Sequence, residues 1–166
     1  MTPLPDAESL CAGLVAELRP IVGPNTAMIG LYTGGVWLAE RLHAELAIAE
    51  PLGTMDIAFY RDDYNKQGLA RDPKRTRIPF TVEGRDLLLV DDVLYTGRTV
   101  RAAMNELFDY GRPASISLVV LADRNGRELP ICAQHCGVKV DVPADMRLRL
   151  RRGDDGKLRL ELERAE

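Results

Sequence analysis

The chain has 166 residues, 46% of them apolar and 28% charged, with a net charge of −3 and a pI near 5.5. That length predicts one globular domain with a real core, and the acidic balance argues against a chain that is basic overall in the manner of nucleic-acid binders. No stretch approaches the ~20 consecutive apolar residues needed to span a bilayer, and the start, MTPLPDAESL, lacks the cationic and apolar regions of a signal peptide.

The elements read off in chain order. Leu10, Leu14 and Leu18, with Val15 beside them, mark a helix that Pro20 stops. Residues 26–32 (TAMIGLY) read as a buried strand, broken by Thr33-Gly34-Gly35. Residues 36–49 are helix-periodic, with Trp37 as a core or interface residue and His43 exposed or hydrogen-bonded. Residues 56–60 (DIAFY) read as a strand. Residues 61–79 are polar, basic and irregular, a length that favours function over scaffold. Residues 86–90 form the next strand, 98–110 a helix ended by Gly111 and Pro113, and 115–122 (SISLVVLA) a fully apolar strand.

Apolar strands alternating with helices predict a mostly parallel sheet covered on both faces. The tail differs. RLRLR (147–151) and KLRLELE (157–163) alternate strictly about Gly153-Asp154-Asp155-Gly156, as an antiparallel hairpin does. Alternation places Arg147, Arg149 and Arg151 on one face. Glu161 and Glu163 across from them predict cross-strand ion pairs.

Three cysteines, Cys11, Cys132 and Cys136, are an odd and sparse set, which predicts a reducing cytoplasm. Cys132, His135 and Cys136 are close in sequence. A structural zinc takes four protein ligands, however, and no second pair accompanies them, so packing is the stronger reading.

The most informative stretch is VDDVLYTGRT, residues 90–99. Asp91 and Asp92 fall where an apolar strand ends, which is where open parallel sheets hold their ligands. Tyr95, Thr96, Gly97, Arg98 and Thr99 then lead into a helix. Free N–H groups at a helix start hold anions, Gly97 permits close approach, and the threonine hydroxyls can donate to phosphate oxygens. The two carboxylates can accept hydrogen bonds from a vicinal diol. Acids for a sugar and a loop for its phosphate make a sugar-phosphate cradle. It is not a Walker loop, because the Gly-Lys-Ser/Thr ending is absent.

LLLVDDVLYTGRT (87–99) resembles the phosphoribosyl pyrophosphate (PRPP) motif of type I phosphoribosyltransferases. Together with DIAFYRDDYN (56–65), YGRP (110–113) and LADRNGRELPI (121–131), it resembles the PyrR family over roughly residues 26–145. That family comprises uracil phosphoribosyltransferases, some of which also regulate pyrimidine operons by binding messenger RNA. The resemblance implies a type I phosphoribosyltransferase fold, with residues 61–79 as a flexible hood hinged near Gly68. It implies conversion of uracil and PRPP to UMP and pyrophosphate, with Mg²⁺ carried by PRPP, in a cytoplasmic homodimer or higher homo-oligomer.

The roles follow position by position. Asp91 and Asp92 would hold the ribose hydroxyls, and with Arg61 they are the candidate catalytic residues. Tyr95, Thr96, Gly97, Arg98 and Thr99 would bind the 5′-phosphate. Thr33, Gly34 and Gly35 would form the pyrophosphate loop. Asp123 and Arg124 would meet the base, with Asp123 also part of the metal site. One departure stands out: the family's loop often reads Lys-Thr-Arg-Gly, whereas here it reads Tyr32-Thr33-Gly34-Gly35, without either cation. That lends weight to a second reading, a UMP- or PRPP-sensing RNA-binding regulator with weak catalysis. Within residues 61–77 six basic side chains face three acidic ones, and contact with PRPP phosphates is the preferred use of them.

Overall fold

The computed structural model describes residues 3–57 and 75–166. Helix α1 (Ala7–Leu18) opens on Asp6, whose carboxylate accepts the Ser9 N–H at 3.1 Å, and a single 3-10 turn (Arg19–Ile21) follows it. Then come β1 (Thr26–Leu31), α2 (Gly34–Leu46), β2 (Gly53–Met55), β3 (Asp86–Leu94), α3 (Arg98–Leu107), β4 (Ser115–Arg124) and β5 (His135–Val140). The strands form one parallel sheet in the order β2-β1-β3-β4-β5.

Successive strand residues point to opposite faces, and both faces are covered. Met28, Leu88, Val90, Val119 and Leu121 pack against α1 and α2. Ile29, Leu87, Leu89, Leu118 and Val120 pack with Val100, Ala103 and Leu107 of α3. This is why the central strands carry no polar alternation. The tail forms the expected hairpin, β6 (Met146–Arg152) with β7 (Leu158–Arg164), antiparallel and separate from the main sheet. No helix among the described residues is long and apolar enough to cross a membrane.

Several boundaries differ from the sequence reading. The strand expected at 56–60 is instead β2 at 53–55. Asp56 and Ile57 lie just past its end, and residues 58–60 are outside the described residues. Asp56 is drawn away from the ladder by Arg75, whose Nε donates to its carboxylate at 2.8 Å. Helix α2 stops three residues early, at Ala47, which adopts a left-handed φ of 50°. Strand β3 runs four residues longer than expected, so that both acids remain within the strand. Strand β5 was not foreseen. It is a short, half-buried edge strand whose mixed sequence, HCGVKV, has no clean period.

The hairpin is fastened by Glu8 and Arg41. Glu8 accepts from Arg41 at 2.6 Å and from the Leu158 N–H at 2.9 Å, while Arg41 also donates to the Gly156 carbonyl at 3.1 Å. The hydrogen bond from Arg41, then that from Leu158, holds the Glu8 carboxyl below its ordinary value of 4.5. A lowered folded pKa contributes stability above the ordinary value and loses it as pH falls through the folded one. Glu8→Gln is therefore expected to cost about 1 kcal/mol at neutral pH. In urea unfolding, that difference should shrink as the buffer is taken below the ordinary carboxylate range.

Candidate functional site

The acids are held by the sheet. The β3–β4 ladder continues past Val90 through Asp91↔Val120, Val93↔Ala122 and Leu94↔Asp123. Asp91 is 5% exposed, and its Oδ1 accepts the Asp92 N–H at 2.9 Å. Asp92 Oδ1 accepts the Val93 N–H at 2.8 Å. Its other oxygen lies against the start of α2. A Cβ on Gly34 would sit 2.1 Å from Asp92 Oδ2, and one on Gly35 would sit 2.7 Å from the Val90 carbonyl oxygen. The two glycines are what let the helix begin directly against the acid pair. The Tyr32–Thr33 peptide bond before them is cis.

The second wall is the loop into α3. Gly97 has a φ of 96°, in the left-handed region, and offers no capping side chain to the helix. A helix start of that kind leaves N–H groups for an anion. Thr96 is buried, and its hydroxyl accepts the Arg98 N–H at 3.1 Å. Its carbonyl accepts the N–H groups of Glu128 and Leu129 at 2.9 and 3.1 Å, which fixes the loop to the segment after β4. The Arg98 side chain turns to Glu128, with Nε donating at 2.9 Å.

Thr33, Gly34, Asp91, Asp92 and the whole of Tyr95–Thr99 line one cleft of about 600 Å³. Gly35 lies beneath it, buried against Val90 and Asp91. Residues far apart in sequence, singled out separately, thus converge on one space. Arg61 and the rest of 61–74 are outside the described residues, as are Tyr64 and Gly68. Arg75, the first described residue after them, places its guanidinium 4.1 Å over the Tyr32 ring.

Asp123 and Arg124 stand somewhat apart. Arg124 is 5% exposed, and its guanidinium lies 4.0 Å over the Tyr95 ring. It donates to the carbonyls of Asn125, Met146 and Val142 at 3.2, 3.2 and 3.5 Å. Burial lowers its pKa, with the charge of Tyr95 acting the other way. Asp123 accepts from Arg127 at 2.5 Å. Arg124 borders the main cleft. Both residues also line a smaller one of about 330 Å³ beyond β4 and β5, shared with Lys139 and Asp141.

The sequence pattern of residues 147–151 gives no hint that they line the cleft, as they do. Strict alternation shows which side chains share a face of a hairpin; it says nothing of what the face looks onto. Arg149 and Arg151 do make the cross-strand pairs expected of them, with Glu163 and with Glu161 and Glu163. His43 is hydrogen-bonded to the Glu50 carbonyl at 2.7 Å, and Trp37 is partly buried against the core. Cys136 contacts the Val138 carbonyl at 3.1 Å, and His135 lies 3.3 Å from Glu17. Among the described residues, no three His, Cys, Asp or Glu side chains gather as a metal site would need.

Comparison with known proteins bears on this geometry. The phosphoribosyl transferase domain family matches residues 3–144. The Bifunctional protein PyrR of Pseudomonas aeruginosa is 46% identical over 151 residues, covering 89% of each chain. That of Nitrosococcus oceani is 48% identical over 144 residues, 86% of this chain and 81% of its own. The chain belongs to the PyrR family of phosphoribosyltransferases. Its type I fold is shared more widely. A Staphylococcus aureus hypoxanthine phosphoribosyltransferase superposes with a TM-score of 0.66 over 82% of this PyrR-family chain and 73% of its own, at 22% identity. At that identity the likeness carries the fold alone.

Proposed function

We propose that the chain transfers the phosphoribosyl group of PRPP to uracil, giving UMP and pyrophosphate. One observation carries this reading: the Asp91–Asp92 pair, the loop that opens α3 and the Thr33–Gly34 turn all line a single cleft. The cleft offers carboxylates for a ribose diol and helix-start N–H groups for its 5′-phosphate. The turn lines the same cleft, with Gly34 against Asp92, and would seat the leaving group.

In this reaction uracil N1 loses its proton to solvent and bonds to the anomeric carbon as the bond to pyrophosphate breaks, its electron pair leaving with pyrophosphate. Positive charge builds on the sugar and negative charge on the leaving group. Asp91 and Asp92 hold the ribose and stabilise the positive charge. The loop at 95–99 fixes the far end of the substrate, so catalysis is mainly positioning and electrostatics. The uncharged turn favours slow turnover. Arg61 joins the acids in this proposal. Asp123 and Arg124 would face the base side.

Hard carboxylate oxygens suit Mg²⁺. Asp123, whose carboxylate accepts from Arg127, would hold the ion only together with oxygens of PRPP itself. Bound with PRPP, Mg²⁺ would neutralise charge on the pyrophosphate. Uracil rests on the resemblance of YRDD (60–63) and DRNGRELP (123–130) to the PyrR family.

The relatives are named bifunctional, which supports a second reading: a regulator that binds RNA and senses UMP or PRPP through this cleft. Incubation with PRPP, Mg²⁺ and each of uracil, orotate, hypoxanthine and adenine tests the first. UMP from uracil alone is expected. A nucleotide from another base would overturn the choice of uracil. No product with any base, together with tight UMP binding, would leave the regulator.

A further inference from the structure

One short segment after β4 supports the whole phosphate loop. Residues 127–131 meet every residue from Tyr95 to Arg98. The Tyr95 carbonyl accepts from Arg127 Nη1 at 2.5 Å, and the Thr96 carbonyl from the Glu128 and Leu129 N–H groups at 2.9 and 3.1 Å. A Cβ on Gly97 would sit 3.1 Å from Ile131 Cγ1 and 3.4 Å from Leu129 Cβ. Arg98 Nε donates to Glu128 at 2.9 Å.

Arg127 reaches further than its neighbours. Besides the Tyr95 carbonyl, its guanidinium donates to the Ile131 carbonyl at 2.8 Å, the Arg124 carbonyl at 3.5 Å and Asp123 Oδ1 at 2.5 Å. A planar fork of N–H groups can serve acceptors on several sides at once, which a lysine ammonium cannot do with the same rigidity. The Arg127 side chain is 25% exposed and that of Asp123 15%, so water competes little for the bond between them.

The two ends of this bridge are neighbours in the sheet. The β3–β4 ladder pairs Asp123 with Leu94, the residue before Tyr95. Tyr95 opens the loop for the 5′-phosphate, and Asp123 stands toward the base side in the transferase reading. Arg127 lines the smaller cleft and not the main one. Its effect on a nucleotide in the main cleft must therefore pass through the groups that it holds.

We propose that Arg127 is a positioning residue that ties the 5′-phosphate loop to Asp123, holding the two ends of the nucleotide site in one fixed relation. The inference rests on the transferase reading. The tie is reciprocal. Removing the Asp123 carboxylate takes away the anchor of the guanidinium and loosens the phosphate loop, although Asp123 lies on the base side.

Calorimetric titration with UMP and with uridine tests it, with a melting curve for each variant. The two ligands share base and ribose, so the ratio of their affinities reads the phosphate loop. Arg127→Ala is expected to lower the preference for UMP about tenfold, and Asp123→Asn about threefold. In the Arg127→Ala background, Asp123→Asn should change the preference by less than about 1.5-fold, because the tie is already cut. A purely structural role would weaken both ligands in parallel and leave the ratio alone. Arg127→Lys keeps the charge without the fork. It should lose about threefold, and it carries both comparisons if the alanine variant does not fold. An unchanged ratio in the Arg127 variants overturns the proposal. So does a full threefold further loss from Asp123→Asn in their background, which would make the two residues independent. A wild-type protein that binds UMP no better than uridine would overturn the transferase reading itself. A wild-type preference that survives in the variants overturns the tie alone.

Discussion

Gly34→Ala is expected to abolish useful PRPP binding while leaving the protein folded. The added methyl would lie 2.1 Å from Asp92 Oδ2 and 2.7 Å from its Cγ. No real contact is that short, so Asp92 must swing away or the first turn of α2 must lift. Swinging a half-buried carboxylate is the cheaper response. Stability should fall by about 1–3 kcal/mol, the range for forced overpacking. PRPP affinity should fall by about 100-fold, because the same movement takes a ribose ligand out of position and fills the seat of the leaving group. Gly35→Ala makes the useful contrast. Its methyl would meet backbone, the Val90 carbonyl at 2.7 Å and the Asp91 Cα at 3.0 Å, which cannot rotate aside. There the larger loss should be in thermal stability. Melting curves and PRPP titrations of the two variants, side by side, check both halves.

Asp92→Asn should lower kcat/KM by about 100-fold, near 2.7 kcal/mol, with the melting temperature nearly unchanged. Asparagine keeps the shape and an acceptor for the Val93 N–H, and removes only the charge that faces a cationic sugar. Asp91→Asn differs because Asp91 is buried and its Oδ1 holds the Asp92 N–H. It should cost stability as well as rate. A wild-type kcat/KM for PRPP from Asp92→Asn would refute the role given to the acid pair. Steady-state kinetics at varied PRPP, with a denaturation curve for each variant, separates these cases.

Much of this architecture was legible in the residues. The largely apolar runs at 26–31, 86–90 and 115–122 read as strands covered on both faces, and the structure divides their alternate side chains between two cores. The hairpin was legible because Leu148, Leu150, Leu158, Leu160 and their charged neighbours obey period two without interruption. The candidate site was legible as a set of pieces. Acids at a strand end and glycines at helix starts mark ligand positions in this kind of sheet, whatever the partner.

Other features are set by tertiary contacts, which local pattern does not record. DIAFY has the composition of a strand, yet pairing with β1 ends at Met55 and Asp56 turns to Arg75. Strand β5 lies at the sheet edge, half-buried except at the exposed Lys139, and so carries neither a buried run nor a clean alternation. Arg124 reads in the sequence only as a residue on the base side; its guanidinium also holds the chain beyond β4 through carbonyls of residues 125, 142 and 146, which no local pattern records. The meeting of the β6 arginines with the cleft depends on how Glu8 and Arg41 fasten the hairpin, a contact 150 residues long in sequence.

The most direct test of the cradle is a crystal structure of the protein with UMP bound. The account predicts the 5′-phosphate within hydrogen-bond distance of the loop at 95–99, and the ribose hydroxyls on Asp91 and Asp92. UMP bound elsewhere, with this cleft holding only solvent, would contradict it.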